Sequence, residues 1–200
     1  MKKLLVLTGI LLCSGVFSAF AQRPSETGKW ISFTESGVLV GNPDNENDAP
    51  FIFHSSLNYA FHKNLSAGLG LGVEFIEETH LPVTANLLYQ FGDKKIVSPF
   101  IRLSAGYQFS LEDKTYVYNS YMRYTSDYIY WPYYAPPEKL DSKGGFMVNP
   151  SAGFVFYTKV GLGIALTAGY RYQQLNYEGA EAYSLHVEYN RLSLTLGIIF

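Results

Sequence analysis

At 200 residues, with 16% charged side chains and a formal net charge of −2, the chain is long enough for one domain and lacks the basic excess a nucleic-acid partner requires. Its single cysteine, Cys13, excludes an internal disulfide framework, and no window holds the roughly eighteen uninterrupted apolar residues of a membrane helix. Aromatic residues make up 16%, with 17 tyrosines and 14 phenylalanines, and so many rings need a physical home.

Residues 1–21 read as an export leader: Lys2 and Lys3, an apolar run from Leu4 to Leu12, and Ala19-Phe20-Ala21 before Gln22. Leu12 stands where a lipid-attachment cysteine favours a small neighbour, so Cys13 is read as part of the leader. The remaining domain, residues 22–200, shows strand periodicity. The first β-prone segment, 30–40, carries Trp30, Ile31, Phe33, Val38 and Val40, but its alternation slips around Glu35 to Gly37, as a bulge or an end effect would cause. Seven clean segments follow at 51–61, 65–75, 81–91, 101–111, 146–156, 162–172 and 190–200. In them, 39 of 42 alternate positions are apolar against 7 of 35 on the other face, so each strand has two chemically distinct sides.

Links after even-numbered strands are short: His62 to Asn64, Gly92 to Pro99, Tyr157 to Gly161. Those after odd-numbered strands are longer or more acidic: Gly41 to Pro50, Ile76 to His80, Glu112 to Gly145, Gln173 to Tyr189. The pattern predicts an all-β, eight-stranded antiparallel up-and-down barrel.

Which face points outward follows from volume and charge. The apolar face holds fifteen aromatic rings, more than the interior of eight strands accommodates. The opposite face has eight glycines and only four charged residues, too few for a surface in water and well suited to a crowded lumen. The apolar exterior is therefore expected to face lipid, which only a closed sheet can cross. Phe61, Phe91, Phe100, Phe156 and Phe200 at the short-turn ends, and Phe51, Phe75, Phe109, Phe146 and Tyr172 at the loop ends, are expected to form two aromatic girdles.

Through these strands the chain resembles the small eight-stranded outer-membrane barrels, the OmpA-like and OmpX-like group, over almost all of residues 30–200. Its terminal strand, Leu192 to Phe200, is similar to the signal read by the barrel insertion machinery, with Phe200 as the closing residue. The resemblance implies a bacterial outer-membrane location, short turns in the periplasm, and outer-membrane lipid and lipopolysaccharide as surroundings. A monomer without cofactor is expected. No peptidoglycan-binding domain follows the barrel, so an anchoring role is not implied.

Two groups of residues are candidates for function. Face parity puts His54, Glu74, Arg102, Arg171 and Arg191 inside the lumen, with Asn58, Asn86, Gln90, Gln108, Asn149 and Gln173. Buried charges need partners, so these predict a structural polar network. An exchange of partners by Glu74 would instead make a gate, and the protein a narrow porin-like solute channel. The second group lies in the loop Glu112 to Gly145, with Tyr116, Tyr118, Tyr121, Tyr124, Tyr128, Tyr130 and Trp131. Tyrosine-rich loops on a rigid scaffold suit recognition of a surface ligand or adhesion. The plainer alternative is a hairpin that extends its strands above the membrane.

Three weaker patterns complete the reading. His54, Ser56 and Glu74 resemble the Ser-His-Glu set of lipid A-modifying hydrolases, but the chain reads His54-Ser55-Ser56-Leu57 rather than H-x-S-N, and parity turns these residues inward. Asp44 to Asp48 starts like a calcium loop but lacks the sixth-position glycine, so no metal site is expected. Gly68-Leu69-Gly70-Leu71-Gly72 is a strand rather than a nucleotide fingerprint, because no helix pattern follows it.

Overall fold

A computed structural model of the chain describes residues 30–41, 49–76, 78–92, 96–111, 115–117, 120–121, 133–134, 138–159, 161–179 and 184–200. The leader 1–21 and the acidic run 44–48 lie outside the described residues. Eight long strands form the barrel: β1 (Trp30–Gly41), β2 (Phe51–Ala60), β3 (Leu65–Phe75), β4 (Thr79–Gln90), β5 (Val97–Ser110), β6 (Glu138–Tyr157), β7 (Gly163–Glu178) and β8 (Ser184–Ile199). Each pairs antiparallel with its sequence neighbour. The ring closes where β1 meets β8, in register from Phe33 opposite Ile199 to Gly41 opposite Arg191. Reciprocal backbone bonds between Ser32 and Phe200, at 3.3 and 3.0 Å, extend that seam by one more pair.

The sequence expectation of an eight-stranded up-and-down barrel is met, with two differences of extent. The last three strands run to 20, 16 and 16 residues, beyond the roughly 9 to 11 that a tilted crossing needs. They continue past the apolar band at the loop end, where the polarity of the two faces reverses: Gln174, Asn176 and Glu178 stand on the outer side while Leu175 and Tyr177 are buried inside. Near that end β6 carries a bulge opposite Asn176 and Tyr177, with Gly144 at φ 77° supplying the left-handed residue it needs.

Closing only eight strands brings neighbouring backbones close on the inner face, and the inward glycines permit it. A Cβ on Gly106 would lie 1.9 Å from the Val83 carbonyl oxygen, so no other residue fits there without moving β4. In β1 the slipped alternation has another origin than the one expected. Its registers with β2 and β8 run without a shift, so the strand contains no bulge. The slip is in side-chain polarity: Phe33, Glu35 and Leu39 point inward, while Ser32, Thr34 and Ser36 stand on the outer side beside Leu57, Ser55 and Phe53.

Candidate functional site in the barrel lumen

The lumen is built in layers. At the short-turn end, Phe33, Leu88, Phe100, Val155, Ala165 and Ile199 form an apolar plug, with Phe33 and Phe100 packed edge to face at 5.9 Å. Phe100 is only 2% exposed, which corrects its expected place in the outer girdle: its parity with outward Ile101 puts it inside. Tyr157 closes this end, its hydroxyl accepting from Gln90 Nε2 at 2.6 Å.

Above the plug the chemistry changes. The Arg102 guanidinium lies 4.8 Å over the Phe33 ring and donates to Glu35 Oε1 at 2.6 Å. The other carboxylate oxygen of Glu35 accepts from Thr195 Oγ1 at 2.7 Å, so one acid ties β1, β5 and β8 together. A second centre sits nearer the loop end. Glu74, 0% exposed, accepts from Arg171 and from His54 Nε2 on one oxygen, the latter at 2.6 Å, and from Gln108 on the other. Four strands, β2, β3, β5 and β7, meet on that carboxylate. Ser193 donates to Asn149 at 3.2 Å between the two centres.

Toward the loops, His80 is fully buried with Nδ1 3.1 Å from the Glu78 carbonyl oxygen, and Ser110 donates to Glu78 Oε2 at 3.0 Å. Leu175, Tyr177 and Tyr189 then cap the polar layer, with Arg191 placed 5.3 Å over the Tyr189 ring. The cavity between the two carboxylate centres, lined by Phe33, Glu35, His54, Arg102, Met147 and Arg171, is about 10 Å³, room for about one water. An apolar plug, a packed polar middle and an apolar cap therefore fill the bore.

All five lumen residues expected from parity lie inside: His54, Glu74 and Arg171 share one cluster, Arg102 belongs to the other, and Arg191 stacks higher up. Glu35 was not among them. Charge balance was the available signal, because three arginines and one glutamate make a poor closed set and Glu35 is the only other acid in the eight predicted segments. His54 faces Glu74, and the Ser56 hydroxyl donates to the Phe33 carbonyl at 3.3 Å.

Of the loop residues, Tyr118, Tyr124, Tyr128, Tyr130 and Trp131 lie outside the described residues, and only the backbone is described at Tyr116 and Tyr121. That backbone forms two short pairings. Thr115 to Val117 continues antiparallel along β6, and Ser120 and Tyr121 pair with Tyr134 and Tyr133. The described part of the loop is thus strand that prolongs the β5–β6 hairpin.

The outer wall is apolar on every strand from β2 to β8. Leu192, Leu194, Leu196, Ile198 and Phe200 are all exposed, Leu196 by 58%, as are Leu69, Leu87, Ile101, Phe154 and Leu166 around the ring. Trp30 meets Tyr59 at 5.1 Å and Tyr89 meets Phe91 at 4.9 Å near the short turns, while Phe51–Phe75 and Tyr107–Phe109 pair at the loop end. A filled eight-stranded bore inside an exposed apolar wall defines the class of small outer-membrane-type barrels.

Known structures of that class share the fold. Neisserial surface protein A superposes with a TM-score of 0.51 at 11% identity, over 86% of this chain and 96% of its own. The outer membrane protein AlkL, solved in lipid bilayers, gives 0.50 at 14% identity over 90% and 95%. No protein-family model and no curated protein matches the sequence.

Proposed function

We propose that the protein is an integral outer-membrane barrel whose lumen is structural and whose loop-end hairpins, chiefly Glu112 to Gly145, provide surface recognition or adhesion. One observation carries the reading: a wall of exposed apolar side chains, interrupted at the hydroxyls of β1 and β2, surrounds a bore whose cavity between the two carboxylate centres has space for about one water. Such a wall has no stable contact with water and an immediate one with hydrocarbon. In this reading residues 1–21 direct export, the Leu192 to Phe200 strand engages the barrel insertion machinery, and lipid with lipopolysaccharide surrounds the wall. The bilayer setting of AlkL supports the same placement.

The filled lumen favours a structural role over a solute channel, and the tyrosine-rich segment is the chemistry left over for a ligand. Pure protein in liposomes is expected to show no conductance steps, and deletion of 116–134 to abolish surface binding while leaving the barrel folded. Stepwise conductance in the unsubstituted protein would replace this reading with the channel. Unchanged binding after the deletion would remove the loop's role.

A further inference from the structure

We propose that the hydroxyl-lined outer face of β1 and β2 is a docking surface for a second copy of this chain within the bilayer. The inference rests on the membrane placement above and replaces the monomer expected from the sequence.

The observation is a local inversion of polarity. Along β1 the outward positions run Trp30, Ser32, Thr34, Ser36, Val38 and Val40, so the apolar ends enclose three hydroxyl side chains, of which Ser32 is buried and Thr34 and Ser36 are accessible. Ser55 on β2 joins them, and Thr34 Oγ1 lies 2.9 Å from Ser55 Oγ. These groups are at hydrocarbon depth: Thr34 is level with Ile198 and Ser36 with Leu196, both exposed leucine-type positions of the lipid-facing wall. Two hydroxyls sharing one bond keep one hydrogen to donate, and lipid chains offer no acceptor. Thr34, Ser36 and Ser55 are half-buried, with Phe53 and Leu57 beside them on β2 and Leu194, Leu196 and Ile198 beside them on β8.

Membrane symmetry selects the occupant. Two copies inserted in the same orientation are related by a twofold axis along the membrane normal, so each residue meets residues at its own depth. The patch of one copy then faces the patch of the other, hydroxyl opposite hydroxyl. A hydroxyl both donates and accepts, which makes the patch complementary to itself without any charge. Small residues let the walls approach closely, and interchain hydroxyl bonds take the place of unsatisfied groups in lipid. A soluble partner does not reach this depth.

The test uses disulfide trapping in the full chain with Cys13→Ser. Ser36→Cys, folded into vesicles of outer-membrane lipid and oxidised with copper phenanthroline, is expected to give a covalent dimer at least tenfold more than Leu103→Cys on the opposite wall. Adding Thr34→Val and Ser55→Val is expected to cut that yield about tenfold. Equal yields from the two cysteine positions, an undiminished yield after the valine changes, or cross-linking only to a product of another mass in native membranes would each overturn the proposal. Folding is read separately from the difference in migration before and after boiling. If the cysteine variant fails that check, single-molecule bleaching of the labelled unsubstituted chain in bilayers decides: two steps support the dimer and one step overturns it. Loss of the migration difference in the unsubstituted chain would fault the membrane reading instead.

Discussion

β1 and β8 lie side by side in the wall, paired through nine residues, yet distribute polarity in opposite ways. β8 puts leucine, isoleucine and phenylalanine outside and, between Tyr189 in the cap and Ile199 in the plug, arginine, serine, threonine and glycine inside. β1 puts Phe33 and Leu39 inside and hydroxyls outside. The difference follows from what each strand must supply to the bore. Phe33 completes the apolar plug against Phe100, and Glu35 is the counter-ion of Arg102, so the inner side of β1 is set by the needs of the opposite wall. Alternation marks where the solvent changes, whereas a packed lumen can ask any strand for an apolar side chain.

The largest effect is expected at the carboxylate of β1. Glu35→Ala leaves the Arg102 guanidinium buried without its partner, and urea unfolding in vesicles is expected to show a loss of about 3–5 kcal/mol. A loss below about 1 kcal/mol would mean that the pair is not the link between β1 and β5. On the lipid side, Leu196→Arg is expected to cost about 2–4 kcal/mol in the same assay, the penalty of a cation near the bilayer midplane. Replacing the hydroxyl level with it by an apolar chain, Ser36→Leu, makes β1 resemble β8 and is expected to stabilise the single barrel by roughly 1–2 kcal/mol. A destabilisation at a lipid excess that keeps the barrels apart would mean that Ser36 does not face hydrocarbon in the single barrel. The smallest effect is expected for Thr195→Val, which removes the hydroxyl donor from Glu35 but leaves Arg102 in place, a loss of about 1 kcal/mol.

The same contrast explains what was legible in the sequence. β8, β7 and β5 declare strand, register and face at once, because alternate residues meet lipid and lumen over their whole crossing. From that parity His54, Glu74, Arg102, Arg171 and Arg191 could be placed inside without coordinates. Partner choice could not, since which acid meets which arginine depends on the shear of the closed ring: Glu74 reaches across the bore to Arg171 on β7 as well as to His54 on the neighbouring β2. Glu35 was hidden because its flanking residues break the alternation. Phe100 shows the converse, an aromatic assigned to a girdle by its position along the strand although its parity pointed inward. The ends of β6 to β8 extend beyond the predicted segments because the alternation reverses there, with polar residues on the outer side and Leu175, Tyr177 and Tyr189 buried inside.

The proposed placement requires the leucine-bearing face to touch hydrocarbon. Spin labels attached at Leu166→Cys, Leu194→Cys and Leu103→Cys in the refolded protein report it most directly, through collision with oxygen, which concentrates in lipid, against a water-soluble nickel chelate. At all three sites oxygen collisions are expected to dominate. Nickel collisions dominating there would contradict the account, because the apolar wall would then be facing water.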